Sequence, residues 1–391
     1  MLERYLKMLF SKINKLFDFS VFNFAALIIL IAVSLVIFLY SQDYINSNTN
    51  ENLTGNNNSR KSDLMLSALT TNEFNFKKEY FSKDSLTVRN AHVLVYNPDK
   101  QIVMLFGGAD ESQVLGDLWA WDGEKWFCLS NKGPSPRTFP ALSYDITRKQ
   151  LVLFGGNKVL FGTGEEKNNF LNDMWIWNNN SWHEIHTPTP SARAEASMAY
   201  DSDRQRIVLF GGYRNENGER IRLGDTWEWD GQKWEQKSSE GPEPRNGTAM
   251  AFDPFNKKTI LFWGSNDSGQ TWEWDGKKWE QINSADTLGC FNSTMAYDTK
   301  THSLIRFGGW AKGNRVNDTW SYNGDRWIKI SSEGPAARNH ASMAYDSKRN
   351  VIVLFGGHDG DHVFGDTWEW NGKKWLLRKN IPPRLRVNNS H

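Results

Sequence analysis

The chain has 391 residues, with 46 Lys and Arg against 45 Asp and Glu, so its formal net charge is +1. That balance excludes a global basic field of the kind that draws a protein to nucleic acid. Its two cysteines, Cys128 and Cys290, lie far apart in sequence and are too few for a disulfide framework or a four-cysteine zinc site.

In chain order, residues 1–20 are mixed, with Arg4, Lys7, Lys12 and Lys15 against Glu3 and Asp18. Residues 21–40 are almost wholly apolar. About 20 helical residues at ~1.5 Å each span a hydrocarbon core of ~30 Å. The run exceeds the ~7–15 apolar residues of a cleaved signal peptide, and Leu39-Tyr40-Ser41-Gln42 is a poor cleavage site. A transmembrane signal anchor over 21–40 is therefore expected. Cations before the span and Asp43 and Glu51 after it predict a cytoplasmic N-terminus and an extracytoplasmic remainder, periplasmic or extracellular. The Asn- and Ser-rich residues 41–72 read as a flexible tether. Asn52 and Asn57 each open a glycosylation sequon, which has meaning only in a eukaryotic secretory setting.

From Arg89 onward one unit recurs six times, near 89–136, 137–192, 193–244, 245–289, 290–337 and 338–383. Its last copy reads Val353-Leu354-Phe355-Gly356-Gly357, a polar loop, Asp366-Thr367-Trp368-Glu369-Trp370, and Trp375. Each unit predicts four short strands, a to d. Strand a follows an Arg, strand b ends at the glycine pair, strand c carries the Trp-x-Trp alternation, and strand d opens on a Trp. Seventeen of the 19 tryptophans occupy these slots, so they are read as packing rather than as an aromatic surface. Asp-Gly or Asn-Gly between c and d supplies the positive φ of a tight hairpin. No helical periodicity is present in 89–383, and the glycine pairs are not phosphate loops because no helix follows them.

The glycine pair after an aliphatic strand, the aromatic in strand c and the Trp seven residues further on resemble the kelch repeat family, the class that includes the galactose oxidase central domain. The Trp pairs are 119/126, 175/182, 227/234, 272/279, 320/327 and 368/375. The resemblance implies an all-β, six-bladed β-propeller over residues 73–391; it does not cover residues 1–72, where the apolar run predicts one transmembrane helix. It leaves closure open. Phe74-Asn75-Phe76 with Tyr80 looks like a degenerate c–d pair, and Arg384 restarts a strand a, so the two ends are candidates to pair or to add strands.

Arg opens strand a at 89, 137, 193, 245 and 338, and Asp precedes strand c at 117, 173, 225, 318 and 366. The step from each Asp to the next unit's Arg is 20 residues, and the one unit with Gln270 for Asp is followed by Cys290 for Arg. Joint loss across one boundary predicts inter-blade ion pairs: Asp117 with Arg137, Asp173 with Arg193, Asp225 with Arg245, Asp318 with Arg338, and Asp366 with Arg89 or Arg384. Losing both partners of a buried pair is far cheaper than losing one.

Function is expected in the b–c loops, which vary and should share a face with the strand-a arginines. Ligand-binding candidates there are Phe161, Tyr213, Arg214, Trp310, His358, Asp359 and His362, with His340 at an inner-strand start. The His358/Asp359/His362 cluster is read as a solvated turn rather than a metal site. Trp263, standing where the fourth unit's first glycine belongs, is read as filling space left by the missing ion pair, with a ring presented at the ligand face as the alternative. No nucleophile elbow, zinc motif or acid–base dyad is visible, and neither cysteine has the tyrosine and histidine neighbours of a copper oxidase site. The expected function is a membrane-tethered binding module for a protein, or secondarily a glycan, with no cofactor and no nucleic-acid partner. The alternative is an enzyme on a sugar, mutarotase-like, at the channel mouth, drawing on Glu195 and His340 beside Arg193 and Arg338.

Overall fold

Strand b of each repeat is a continuous apolar run, such as Ile102–Phe106 or Val351–Phe355, and both of these are buried at every position. A strand apolar on both faces needs cover on both faces, and a radial array of sheets provides it. The computed structural model describes residues 85–160, 169–265, 270–282 and 289–386. The apolar run at 21–40, the tether, the Phe74–Tyr80 segment and Phe161 lie outside the described residues.

Six four-stranded antiparallel sheets, each ordered a-b-c-d, occupy 93–130, 141–184, 197–238, 249–282, 294–331 and 342–379. The described residues contain no helix. Two further hairpins stand in the b–c loops of blades 3 and 5, Tyr213–Glu216 with Glu219–Arg222 and Trp310–Ala311 with Asn314–Arg315. Hydrophobic clusters lie between blades. Leu94, Val103, Leu105, Trp119 and Trp121 of blade 1 pack with Ala344, Val351, Val353 and Phe355 of blade 6, so the first and last blades meet directly.

The strand-d tryptophans peg each blade to the one before it. The indole N–H donates to a strand-c threonine hydroxyl in Trp126–Thr367, Trp279–Thr226, Trp327–Thr271 and Trp375–Thr319, at 2.8–3.1 Å. In blade 2 the threonine slot holds Met174, whose sulfur receives Trp234 at 3.3 Å. In blade 1 it holds Leu118, and the buried Trp182 indole nitrogen has no hydrogen-bond partner among the described residues.

Blade order is also written in the backbone. The second glycine of each pair donates to the carbonyl of the next blade's arginine (Gly108 to Arg137, 2.9 Å), and that arginine's N–H donates back to the loop (Arg137 to Leu115, 3.0 Å). The same two bonds close the ring, from Gly357 to Arg89 and from Arg89 to Phe364. This approach explains the first glycine. At Gly211, with φ of 67°, a Cβ would sit 2.6 Å from the Arg245 carbonyl oxygen. Trp263 takes this position in blade 4, with φ of 51°.

The side-chain ion pairs are not those expected from the 20-residue spacing. Arg89 binds Asp117, Arg137 binds Asp173, Arg193 binds Asp225 and Arg338 binds Asp366, each within one blade at 2.5–2.7 Å. Strands a and c flank b and stand about 10 Å apart, a span that an extended arginine and an aspartate bridge across the end of strand b. The second aspartate oxygen accepts the first strand-c indole in blades 1, 2, 3 and 6. The constant step of 20 reflects the fixed length of the c–d hairpin and the link to the next blade. The within-blade separations are 28, 36, 32 and 28, varying with the loop.

Blades 4 and 5 depart from this arrangement independently. Arg245 donates to the carbonyls of Glu243 and Trp263, and Gln270 keeps the indole bond to Trp272 at 3.0 Å. Asp318 turns outward to Lys329 at 2.8 Å and Ser332 at 3.1 Å. The arginine space of blade 5 is filled from strand b. Arg306, 1% exposed, donates to the Gly308 carbonyl beside Cys290 and lies against the rings of Phe262 and Trp320. Trp263 is half-buried against Phe262 and Gly289, and the buried charge at this boundary is Arg306.

The C-terminal segment completes the seam between blades 6 and 1. Ile381 joins the cluster shared by those blades, and Arg384–Leu385 pairs antiparallel with His362–Val363 of the blade 6 loop. Arg384 thus adds a strand, and Asp366 is held by Arg338 rather than by Arg384 or Arg89.

Candidate functional site: the b–c loop face

In five blades the residue after the strand-a arginine, or after Cys290 in its slot, bridges to the residue after a glycine pair, as in Asn90 with Ala109, Ala194 with Tyr213 and Asn339 with His358. This places the b–c loops and the strand-a starts on one face.

At the centre of that face the backbone forms a closed ring. Ala91, Phe139, Glu195, Gly247, Asn292 and His340 occupy the same position in successive blades, all with φ between 50° and 64°. Each N–H donates to the carbonyl of the equivalent residue in the preceding blade, at 2.8–3.4 Å, with Ala91 donating to His340. The left-handed conformation turns each peptide along the circumference, so six blades share one cyclic hydrogen-bond chain. From this ring the inner strands of all six blades line an axial cavity of ≈480 Å³ that runs to the a–b turns.

Above the ring lies a polar chain. The Arg386 guanidinium is 3.4 Å from His358 Nδ1, His358 Nε2 is 2.9 Å from His340 Nδ1, and His340 Nε2 is 3.9 Å from Glu195 Oε1. Asn246 donates to the other Glu195 oxygen. A guanidinium only donates, so His358 accepts at Nδ1 and carries its proton on Nε2. His340 then accepts at Nδ1 and carries its proton on Nε2, facing Glu195. Both imidazoles are neutral in this arrangement. Burial, with the charges of Arg386 and Arg315, lowers the His340 pKa to about 3, and burial with His340 and the same arginines lowers His358 further.

Arginines rim the face. Arg222 Nε donates to Asn246 Oδ1 at 3.2 Å and to Ser265 at 2.9 Å, and Arg315 Nε donates to Asn339 Oδ1 at 3.0 Å. The two hold equivalent positions in blades 3 and 5, each anchored by the residue after the next blade's strand-a arginine, 24 residues on.

The expected ligand residues are distributed unevenly over this face. Tyr213 is 1% exposed, stacked edge-on against Phe170 and capped by Arg220 at 4.5 Å, so its ring is core and not a ligand platform. His358 is likewise buried, at 4%. Arg214 pairs with Glu216 at 3.1 Å, and His362 pairs with Asp359 at 3.2 Å. Trp310 is half-buried with Arg315 over its ring at 4.9 Å. No group of three His, Cys, Asp or Glu among the described residues is arranged to hold a metal ion. The repeat 3 loop offers Arg222 in the sequence, whereas Arg315 and Arg386 were missed as site residues. The signal available for Arg315 was its match to Arg222, an arginine immediately before the last aliphatic residue of the loop, in two repeats of six.

Closed ring, glycine pairs and Trp pegs together define a six-bladed kelch-type β-propeller. The model of the KLHDC2/KLHL20/DRC7 Kelch-repeats domain matches residues 52–262, more than half of the chain, which therefore belongs to this family. The chain is also similar to Mei4-dependent protein 6 of Schizosaccharomyces pombe, 26% identical over 201 residues. That alignment covers 46% of this chain and 28% of the relative, well under a third of its length.

Proposed function

We propose that this propeller binds a partner protein through its b–c loop face, in keeping with kelch propellers, which are typically protein-interaction modules. The observation that carries the reading is the pair of arginines, Arg222 and Arg315, whose Nε atoms are fixed by asparagines of the propeller body. Pre-oriented guanidinium groups suit carboxylates of a partner and reduce the ordering cost of binding. Glycan is the second ligand class for the same face. The axial Glu195–His340 pair is what a sugar-directed enzyme would use. Their side chains are only 4% and 8% exposed, which favours binding over turnover.

In a crosslinking capture with the full chain, Arg222→Glu with Arg315→Glu is expected to lose the partners held by the wild type. A control at the opposite face, Ile146→Glu with Phe255→Glu, changes two exposed apolar residues of the a–b turns and is expected to keep them. The reverse pattern would reject the loop face.

We also propose that residues 21–40 tether the propeller to a membrane, with the N-terminus cytoplasmic and the propeller extracytoplasmic. The reading rests on the length and apolarity of that run. The protein should stay in the pellet on alkaline carbonate extraction and leave it when 21–40 is deleted. Release of the intact chain would end the proposal.

A further inference from the structure

The C-terminal segment lies on the loop face as a guest strand. After Ile381, which packs beneath the blade 6 loop near Gly365, Pro382-Pro383 carries the chain upward, and Arg384–Leu385 adds to the edge of His362–Val363. The Arg386 N–H donates to the Asp361 carbonyl at 2.7 Å. Side chains alternate along a strand, and the contacts follow that alternation. Arg384 reaches Glu111 of the blade 1 loop at 2.7 Å, Arg386 reaches His358, and Leu385 points away, 69% exposed. Arg384 meets the acidic groups of blade 1, Glu111 with Asp110 close by, whereas Asp359 and Asp361 of blade 6 act on Arg315. A two-residue ladder carrying an exposed leucine is held weakly, the mark of a segment that opens locally at little cost.

From this placement we infer that the blade 6–blade 1 sector of the loop face is a docking edge for an extended basic segment of the form Arg-x-Arg, and that residues 384–386 occupy it in cis. The main-chain ladder supplies sequence-independent affinity, as in strand addition to any exposed edge. Glu111 with Asp110 selects a cation at the first position, and His358 Nδ1 accepts from a guanidinium at the third. A partner's basic strand must displace the tail, so the tail sets a threshold for binding. The inference deepens the loop-face reading and concerns the seam between blades 6 and 1.

The test is fluorescence anisotropy with a labelled synthetic peptide of residues 380–389 and the full chain. Arg384→Glu with Arg386→Glu vacates the edge by charge. Arg386→Pro vacates it by removing the N–H donated to the Asp361 carbonyl and restricting φ. Each variant is expected to bind the peptide, and the wild type roughly tenfold more weakly if its tail is docked nine-tenths of the time. Adding Glu111→Arg to the vacated chain should remove most of that binding, and a peptide with both arginines changed to Glu should not bind. Equal affinity for wild type and both vacated variants, or no binding to variants that melt like the wild type, overturns the inference. So does concentration-dependent self-association of the wild type through the tail, which places the strand in trans. The probe is the chain's own tail, so failure here leaves the partner-capture experiment standing, and failure there leaves this one standing.

Discussion

Replacing Asp173 by Asn is expected to destabilise the propeller by about 3–5 kcal/mol, the cost of stranding a buried charge. Arg137 is fully buried and its guanidinium is oriented by Asp173 at 2.7 and 2.8 Å, with the Gly155 and Ser135 carbonyls as further acceptors. Burial by itself would raise the Asp173 carboxyl, but the hydrogen bonds and charge of Arg137 outweigh it and hold the group below the usual carboxylate range. Removing the carboxylate leaves the cation without its bidentate partner, and a neutral amide restores neither charge nor both acceptors. Arg137→Met combined with Asp173→Leu should recover most of the loss, since replacing both ions of a buried pair is often near neutral. Asp318→Asn is the internal comparison. It changes the same slot, but here the carboxylate faces Lys329, which is 45% exposed, so the expected cost is about 1 kcal/mol or less. Urea midpoints with unchanged slopes would measure all three. A loss at Asp173 no larger than at Asp318 would show that the pair is not a strut.

Lowering the pH from 7 to 4.5 is expected to destabilise the wild type by about 2–3 kcal/mol more than His92→Leu, through His92 alone. His92 lies at the seam between blades 1 and 6, 5% exposed, with its ring edge-on to Phe355 at 5.5 Å. Burial, followed by the neighbouring Arg89 guanidinium, lowers its pKa from 6.5 to about 3. Below pH 6.5 the unfolded chain takes up a proton at this site that the folded chain does not. Stability therefore falls as pH drops from about 6.5 towards 3, and the contribution levels off below that. Leucine cannot titrate, so its melts should lack this component whatever its own packing cost at pH 7. The carboxylates of Asp117, Asp173 and Asp225, held low by their arginines, lose stability only below their unfolded values near 4, which separates the two windows. Parallel stability–pH curves for wild type and His92→Leu between pH 7 and 4.5 would exclude the effect.

The Arg–Asp pairs show where linear reasoning fails. A constant spacing of 20 residues looked like a contact, yet it measured only the uniform length of the chain between strand c and the next strand a. The pairing lies instead across separations of 28 to 36 residues that the b–c loop makes irregular. The joint absence of an Asp at 270 and an Arg at 290 belongs to two different blades, each with its own remedy. Arg306, the remedy in blade 5, was visible as a charge inside an otherwise apolar strand b, Leu304-Ile305-Arg306-Phe307. Tyr213 was chosen as a ligand residue because it stands just past a glycine pair, and the hairpin that follows it folds Arg220 back over its ring. Position along the chain cannot report such cover.

What the sequence determined by itself was the repeating unit: six copies of four strands, the glycine pairs, the tryptophan slots, and a loop face on the side of the strand-a arginines. These are local or periodic properties, set by alternation of apolar residues and by turn chemistry within some 50 residues. Only the tertiary structure decided what depends on bringing distant repeats together. The cyclic hydrogen-bond ring draws on residues as unlike as Ala91, Glu195 and His340, because its requirement is a backbone conformation and not a side chain. The Arg386–His358–His340–Glu195 chain joins residues from three parts of the sequence that share no motif, and becomes legible only once the propeller closes.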